Sequence, residues 1–197
     1  MSDTSDRAYT AALLKPSQVG WKRWLNVQAP YRWNIRRLKL GFVLDIGCGI
    51  GRNLLHLDGK GVGVDHNPHS VELARARGLE AYTPREFDAS EWNGPRRFDA
   101  LLLAHVVEHM TEQEATALVQ RYSLLLKPRG ALVLVTPQEY GYASDRTHIQ
   151  FQDFVSCRRI AEHSGFDVQR QYSFPLPRMA GRVFQYNEFL TVGRMRG

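Results

Sequence analysis

At 197 residues, with 43% apolar and 23% charged side chains, the chain suits one domain with a single core and has no room for a second full domain. Its 26 Lys and Arg against 20 Asp and Glu give a formal charge of +6, which permits an anionic partner; the basic residues are scattered apart from Arg32, Arg36, Arg37 and Lys39 and the stretch 178–196, so nucleic acid is not favoured. Two cysteines, neither in a CxxC pair, exclude a disulfide framework and point to a reducing cytoplasm, while no run approaches the roughly 20 apolar residues of a membrane span and the start MSDTSD lacks a signal-peptide centre.

In chain order, residues 1–20 read as a loose leader and residues 21–40 as an N-terminal helical cover. The cover carries Trp21, Trp24, Leu25, Tyr31, Trp33, Ile35 and Leu38, and its break at Pro30 predicts two short helices over one edge of the core. The core itself spans 42–192. Residues 42–46 read as a buried strand, Gly47 to Gly51 as a glycine loop, and the next segment as a helix through Leu57. A second strand at 62–65 leads to Asn67 and Pro68, a side-chain cap followed by a residue preset for the first helical position, and that helix stops at Gly78. A third strand is predicted at 79–83, then a polar connection, then a fourth at 98–104 that is apolar enough to be buried on both faces. Thr111 and Glu114 form a capping box for a helix reaching Leu126; a turn at 127–130 precedes a fifth strand at 131–136. A long connection, 137–152, leads to a helix at 153–164 ended by Gly165, and two more strands follow at 167–174 and 187–192. This alternation calls for an α/β fold, a doubly wound and mostly parallel sheet with right-handed crossovers and helices on both faces. Its ligand belongs beyond the C-terminal strand ends, where strand order reverses.

Chemistry concentrates first in VLDIGCGIGRN, where Asp45 ends a strand and Gly47, Gly49 and Gly51 form the turn into a helix. The spacing is GxGxG. A dinucleotide fold prefers GxGxxG, and here Arg52 takes the place of its third glycine, which counts against an NAD-dependent dehydrogenase. Asp65 ends the second strand, where a carboxylate can accept both hydroxyl hydrogens of a ribose. Loop and carboxylate together define the two ends of a nucleoside pocket.

The ordered motifs LDIGCGIG, GVGVDHNP, FDALLLAHVVEH and LLKPRGALVLVTP resemble those of the class I S-adenosylmethionine (SAM) dependent methyltransferases, over roughly residues 30–192. That resemblance implies a seven-stranded sheet whose last strand is antiparallel, SAM as cofactor and S-adenosylhomocysteine as product. It places Gly47, Cys48 and Gly49 at the methionine portion of SAM and Asp65 at the ribose hydroxyls, with Asp45, upstream of the turn, a further cofactor-binding residue. It also places His66 beside the adenine, Glu86 or Phe87 at the adenine edge, and Ala104, His105 and Val106 close to the methionine end. APYR at 29–32 is similar to the NPLR segment of ubiquinone-pathway O-methyltransferases, the group nearest in motif, and makes Arg32 a candidate partner for the SAM carboxylate. Cys48 reads as a small buried loop residue without a catalytic role.

His105, Glu108 and His109 spell HxxEH, a pattern also found in metalloproteases, but its position at a strand end in a nucleotide fold argues against a protease. Hen1-type RNA 2′-O-methyltransferases use a similar ExxEH segment with a distant histidine to hold a metal; here His105 replaces the first glutamate and His148 would be the fourth ligand, so the expectation is that no metal is held. The connection 137–152, with Gln138, Glu139, Tyr140, Tyr142, Asp145 and His148, suits a lid over a polar acceptor. The aromatics from Trp21 to Trp33, with Phe174, Pro175, Pro177 and Tyr186, are placed either to close its other side or to be core. The expected function is methyl transfer to a small-molecule acceptor, at oxygen, with His109 and His148 as candidate general bases. A metal-assisted RNA ribose methyltransferase and a noncatalytic SAM-binding subunit are the alternatives; acceptor identity and oligomeric state stay open.

Overall fold

The computed structural model describes residues 28–197. Of the two predicted N-terminal helices the first falls outside the described residues. The second is α1, Ala29–Arg37, with Pro30 in its first turn and basic Arg36 and Arg37 in its last. Proline thus opens this helix, and Ile35 carries its buried face.

The seven strands are β1 (Val43–Ile46), β2 (Gly61–Val64), β3 (Ala81–Tyr82), β4 (Phe98–Ala104), β5 (Leu126–Pro137), β6 (Phe166–Phe174) and β7 (Glu188–Met195), in the spatial order β3-β2-β1-β4-β5-β7-β6. The first five run parallel; β7 is antiparallel to both β5 and β6, as expected for this fold class. Strand order reverses between β1 and β4, whose registers bring Ile46 opposite Leu103, so a crevice opens beyond that pair.

Alternation along the strands builds two faces. Leu44, Ile46, Leu101, Leu103, Leu132 and Leu134 point into one cluster with Val119, Ile160 and Phe166, and Val43, Ala100, Leu102, Val133 and Val135 point the other way, under Ile35 of α1. Each such leucine or valine buried from water stabilises the sheet by about 1.5–3 kcal/mol. The helices covering these faces are α2 (Arg52–His56), α3 (Pro68–Ala76), α4 (Pro84–Asp88), α5 (Glu112–Ser123), α6 (Glu139–Ala143) and α7 (Phe154–His163). Asn67 caps α3 through the His69 and Ser70 amides, and Thr111 with Glu114 forms the capping box of α5, both as read from sequence.

Three local readings need correction. The polar connection after β3 holds a helix, α4, started by a second capping box, Thr83 with Glu86. Residues 127–130 lie within the bounds of β5, yet the β4 register jumps from the pair Phe98 and Leu126 to Ala100 and Ala131, and Arg129 has a φ of 60°; the expected turn is a bulge inside the strand. The lid segment is not all loop, because α6 occupies its first part.

Candidate functional site

The glycine turn is clamped to the end of β2. The Gly47 and Cys48 amides donate to the Val64 carbonyl at 2.7 and 3.2 Å, and the Gly49 amide donates to Asp65 Oδ2 at 2.7 Å. Asp65 Oδ1 accepts the Asn67 amide at 2.8 Å, so this carboxylate locks the turn to the next helix cap while each oxygen keeps a lone pair for a ligand. Gly47 has a φ of 70°, and a Cβ there would overlap Val106 Cγ2, so only glycine lets the first residue after β1 pass beneath the exit of β4. A Cβ on Gly63 would lie 2.6 Å from Cys48 Sγ; the thiol fills the space over that strand glycine. Burial, with Asp45 and Asp65 nearby, pushes the Cys48 thiol well up, which makes it a packing group rather than a nucleophile.

Asp45 is fully buried, and neither of its oxygens has a hydrogen-bond partner of normal geometry among the described residues. Burial raises its carboxyl to about 8; the Asn53 amide nearby partly opposes this and Asp65 adds to it. An unpartnered acid next to a second acid at the mouth of a glycine turn fits a cationic ligand, directly or through a bridging water, and SAM carries both an ammonium and a sulfonium.

Opposite the turn, His105 leaves β4 at a φ of 59° and its ring lies between two acids, with Nε2 2.9 Å from Glu188 Oε1 and Nδ1 3.2 Å from Glu108 Oε1. The protein crowded around the ring costs the imidazolium some hydration, although 47% of the side chain still meets solvent; the two carboxylates outweigh that cost and raise His105 to about 10. Glu188, at the start of β7, is brought to this exit by the fold and is not among the residues singled out from the sequence. Its one legible sign is an acid at the head of a strand that opens with the largely apolar run FLTV.

The remaining expected residues divide. Ala104 and Val106 are half-buried at the β4 exit beside the turn, and His66 is exposed next to Asp65, its Nδ1 3.7 Å from Oδ1. Arg32 is exposed on α1 and joins Arg52 and Arg36 in a positive field that, after burial, helps lower His56 to about 4. Glu86 closes the α4 capping box and pairs with Arg75 at 2.9 Å, and the Thr83 amide, Arg75 and the Thr83 hydroxyl hold its carboxyl down near 2. The ring of Phe87 is fully buried against Tyr82, Phe98 and Tyr122, so the expectation that it lines the adenine edge is corrected to a core role.

His109 and His148 come together although 38 residues of chain separate their turns. Their ring centroids are 4.9 Å apart, and each is held by a Nδ1 contact, His109 to Thr147 and His148 to the Tyr142 carbonyl at 2.7 Å.

A nucleotide-type crevice at the switch point, a GxGxG turn and an acid at each of the first two strand ends define a SAM-dependent methyltransferase of class I. The family described as methyltransferase domain matches residues 19–171, and the chain belongs to it. An uncharacterised methyltransferase of Bacillus cytotoxicus is 26% identical over 157 residues, 76% of this chain and 69% of its own. A ubiquinone biosynthesis O-methyltransferase of Rhodopseudomonas palustris is 31% identical over 100 residues, 48% of this chain but only 39% of the relative's length. Among solved structures, a SAM dependent methyltransferase from Archaeoglobus fulgidus superposes with a TM-score of 0.67 at 18% identity, covering 88% of this chain and 96% of that one, a likeness of fold. Among the described residues, no helix is long and apolar enough to cross a membrane.

Proposed function

We propose that the chain methylates a small-molecule acceptor at oxygen. The observation that carries this reading is the meeting of His109 and His148 with the buried acid Glu108, immediately after the β4 exit that faces the glycine turn. An alcohol is a poor nucleophile until it can lose its proton, and this cluster is where the chain has groups to ease that loss. The ubiquinone-pathway relative, named an O-methyltransferase, lends support from its own chemistry.

Bound in the crevice, SAM supplies an electrophilic methyl group on a sulfonium. The chain's own residues do the rest: Asp65, held by the turn through the Gly49 amide, takes the ribose end of the nucleoside, Asp45 answers the cationic end, and the connection carrying α6, Asp145 and His148 covers the acceptor and excludes water. His105, held as an imidazolium between Glu108 and Glu188, is not a base at neutral pH. Many of the basic side chains are spent in ion pairs, including Arg36 with Asp58, Arg75 with Glu86, Arg121 with Asp88, Arg159 with Glu112 and Arg178 with Glu139, which speaks for a small acceptor over a nucleic acid.

The test is incubation of the purified protein with methyl-deuterated SAM and a fractionated metabolite extract. Deuterated methyl ethers or esters are expected. Label found on nitrogen, carbon, protein or RNA, or cofactor binding with no turnover in any fraction, overturns the proposal.

A further inference from the structure

We propose that Glu108, His109 and His148 form a binding site for a divalent first-row transition-metal ion, with coordination positions left open to an oxygen ligand. One ligand atom from each of the three residues lies within 4.8 Å of the others. Metal to nitrogen or oxygen distances are about 2.0–2.2 Å, so ligands on one ion stand at most about 4.4 Å apart, and closing on an ion requires movements of under about an ångström.

The tautomer of each ring in its neutral form, the form that binds a metal, follows from its partners. His148 Nδ1 faces the Tyr142 carbonyl at 2.7 Å, and a carbonyl only accepts, so Nδ1 carries the hydrogen and Nε2 keeps its lone pair. His109 Nδ1 lies 3.2 Å from the Thr147 carbonyl and 3.1 Å from its hydroxyl, whose own hydrogen goes to Asp145 Oδ1 at 2.8 Å; again Nδ1 is the donor and Nε2 the free acceptor. Metal-bound imidazoles are oriented in this way, with one nitrogen donating to a carbonyl and the other facing the ion.

Glu108 supplies the independent sign. Its side chain is fully buried, and among the described residues neither oxygen takes part in a hydrogen bond of normal geometry. His105 Nδ1 is 3.2 Å from Oε1 but is out of alignment for one, and that ring's aligned bond goes to Glu188 instead. His105, an imidazolium shared with Glu188, gives Glu108 a counter-charge but no aligned hydrogen bond, and a metal ion held between Glu108 and the two imidazoles supplies the coordination that its oxygens lack. The arrangement is also built in advance: the Glu108 carbonyl accepts the Ile149 and Gln150 amides at 2.8 and 3.2 Å, tying the loop of His148 to the turn of Glu108 and His109. Tyr142 stacks on the His148 ring at 5.1 Å.

Two imidazoles and one carboxylate suit zinc, iron, cobalt or manganese better than magnesium or calcium, which favour all-oxygen sets. Three protein ligands leave at least one position vacant on such an ion, the pattern of reactive sites. The proposed site departs from the sequence expectation that no metal is held. Assigning the open position to the acceptor hydroxyl rests on the oxygen reading above, whereas metal binding itself does not.

The experiment is titration of metal-stripped full-length protein with Co2+, followed by visible absorption, and with Zn2+, followed by calorimetry, for wild type, His148→Ala, His109→Ala and Glu108→Gln. Wild type is expected to bind one ion with d–d bands in the visible, and each variant to bind at least about tenfold more weakly. SAM affinity, measured in parallel, should stay within about threefold in His148→Ala, which reports an intact fold and cofactor site. No Co2+ or Zn2+ uptake by wild type up to about a hundred times the protein concentration, or equal uptake by His109→Ala and His148→Ala, overturns the site. Metal bound as expected while the label reaches only nitrogen or carbon acceptors overturns the oxygen reading and leaves the site standing.

Discussion

Val106 Cγ2 lies where a side chain on Gly47 would begin, so the exit of β4 and the turn after β1 are in direct contact across the switch point. The turn therefore has two reasons to be glycine, the contact and the φ of 70°. The second alone costs an L-residue about 1–2 kcal/mol. Gly47→Ala should lower the melting temperature by about 2–8 °C and weaken SAM binding at least about tenfold. Combining it with Val106→Ala should recover the steric share and leave the backbone share. A thermal-melt cycle with no coupling between the two substitutions would show that the contact is not what excludes alanine.

Asp45 predicts an opposition between stability and cofactor binding. The folded value of about 8 stands above the ordinary 3.8, so the group's contribution to folding is greatest in acid and is lost as pH rises from about 4 through about 8. Asp45→Asn removes the ionisable group and should stabilise the free protein at pH 8 by on the order of 1–3 kcal/mol. The same change should weaken SAM binding at least about tenfold, because a cationic ligand loses its anion. In wild type, binding near pH 7 should release close to one proton, seen as a dependence of the calorimetric enthalpy on the ionisation heat of the buffer. Buffer-independent enthalpies would remove Asp45 from the cofactor's partners.

Asp65 carries a different load, since both oxygens already accept backbone amides, from Gly49 and Asn67. Asp65→Asn puts a donor where one of these amides donates and removes the charge that strengthens a ligand hydroxyl's bond. A weakening of SAM and S-adenosylhomocysteine binding by about 10- to 100-fold is expected. The ribose share can be separated by an S-adenosylhomocysteine analogue lacking both ribose hydroxyls, for which the penalty should shrink to what the turn alone contributes. An undiminished penalty with that analogue would mean that Asp65 acts only by holding Gly49.

The parts of the molecule legible in the sequence are those fixed by neighbours in the chain. GxGxG and Asp65 are short-range punctuation around two buried strands, and the structure builds the turn from them. Thr111 and Glu114 announce α5 because a capping box is complete within four residues. The same signature at Thr83 and Glu86 starts α4, a helix inside what reads as a polar connection, and Phe87, expected as an alternative to Glu86 at the adenine edge, is buried in the core. Glu188 was beyond reach for another reason: β7 inserts between β5 and β6, and only that insertion brings its first residue to His105. The lid histidine shows both sides. His148 was visible as a polar group in a long connection, but its place beside Glu108 depends on amide bonds from Ile149 and Gln150 that no local pattern announces.

The residue before Glu188 gives a last prediction. Asn187 is fully buried, and its amide donates to Gln138 Oε1 and Ser173 Oγ, both at 3.0 Å, while its oxygen accepts the Leu176 amide at 2.9 Å. Gln138 in turn donates to the Glu188 carbonyl at 2.9 Å, so this polar knot sets the backbone from which Glu188 reaches His105. Asn187→Ala leaves several buried groups unpaired and should cost about 2–4 kcal/mol, a fall in melting temperature of roughly 4–16 °C. Asn187→Asp keeps the oxygen but buries a charge facing Gln138 Oε1, and should be at least as damaging. If instead Asn187→Ala melts within about 1 °C of wild type, the knot is not holding the head of β7, and the position of Glu188 must come from the β5 and β6 ladders alone.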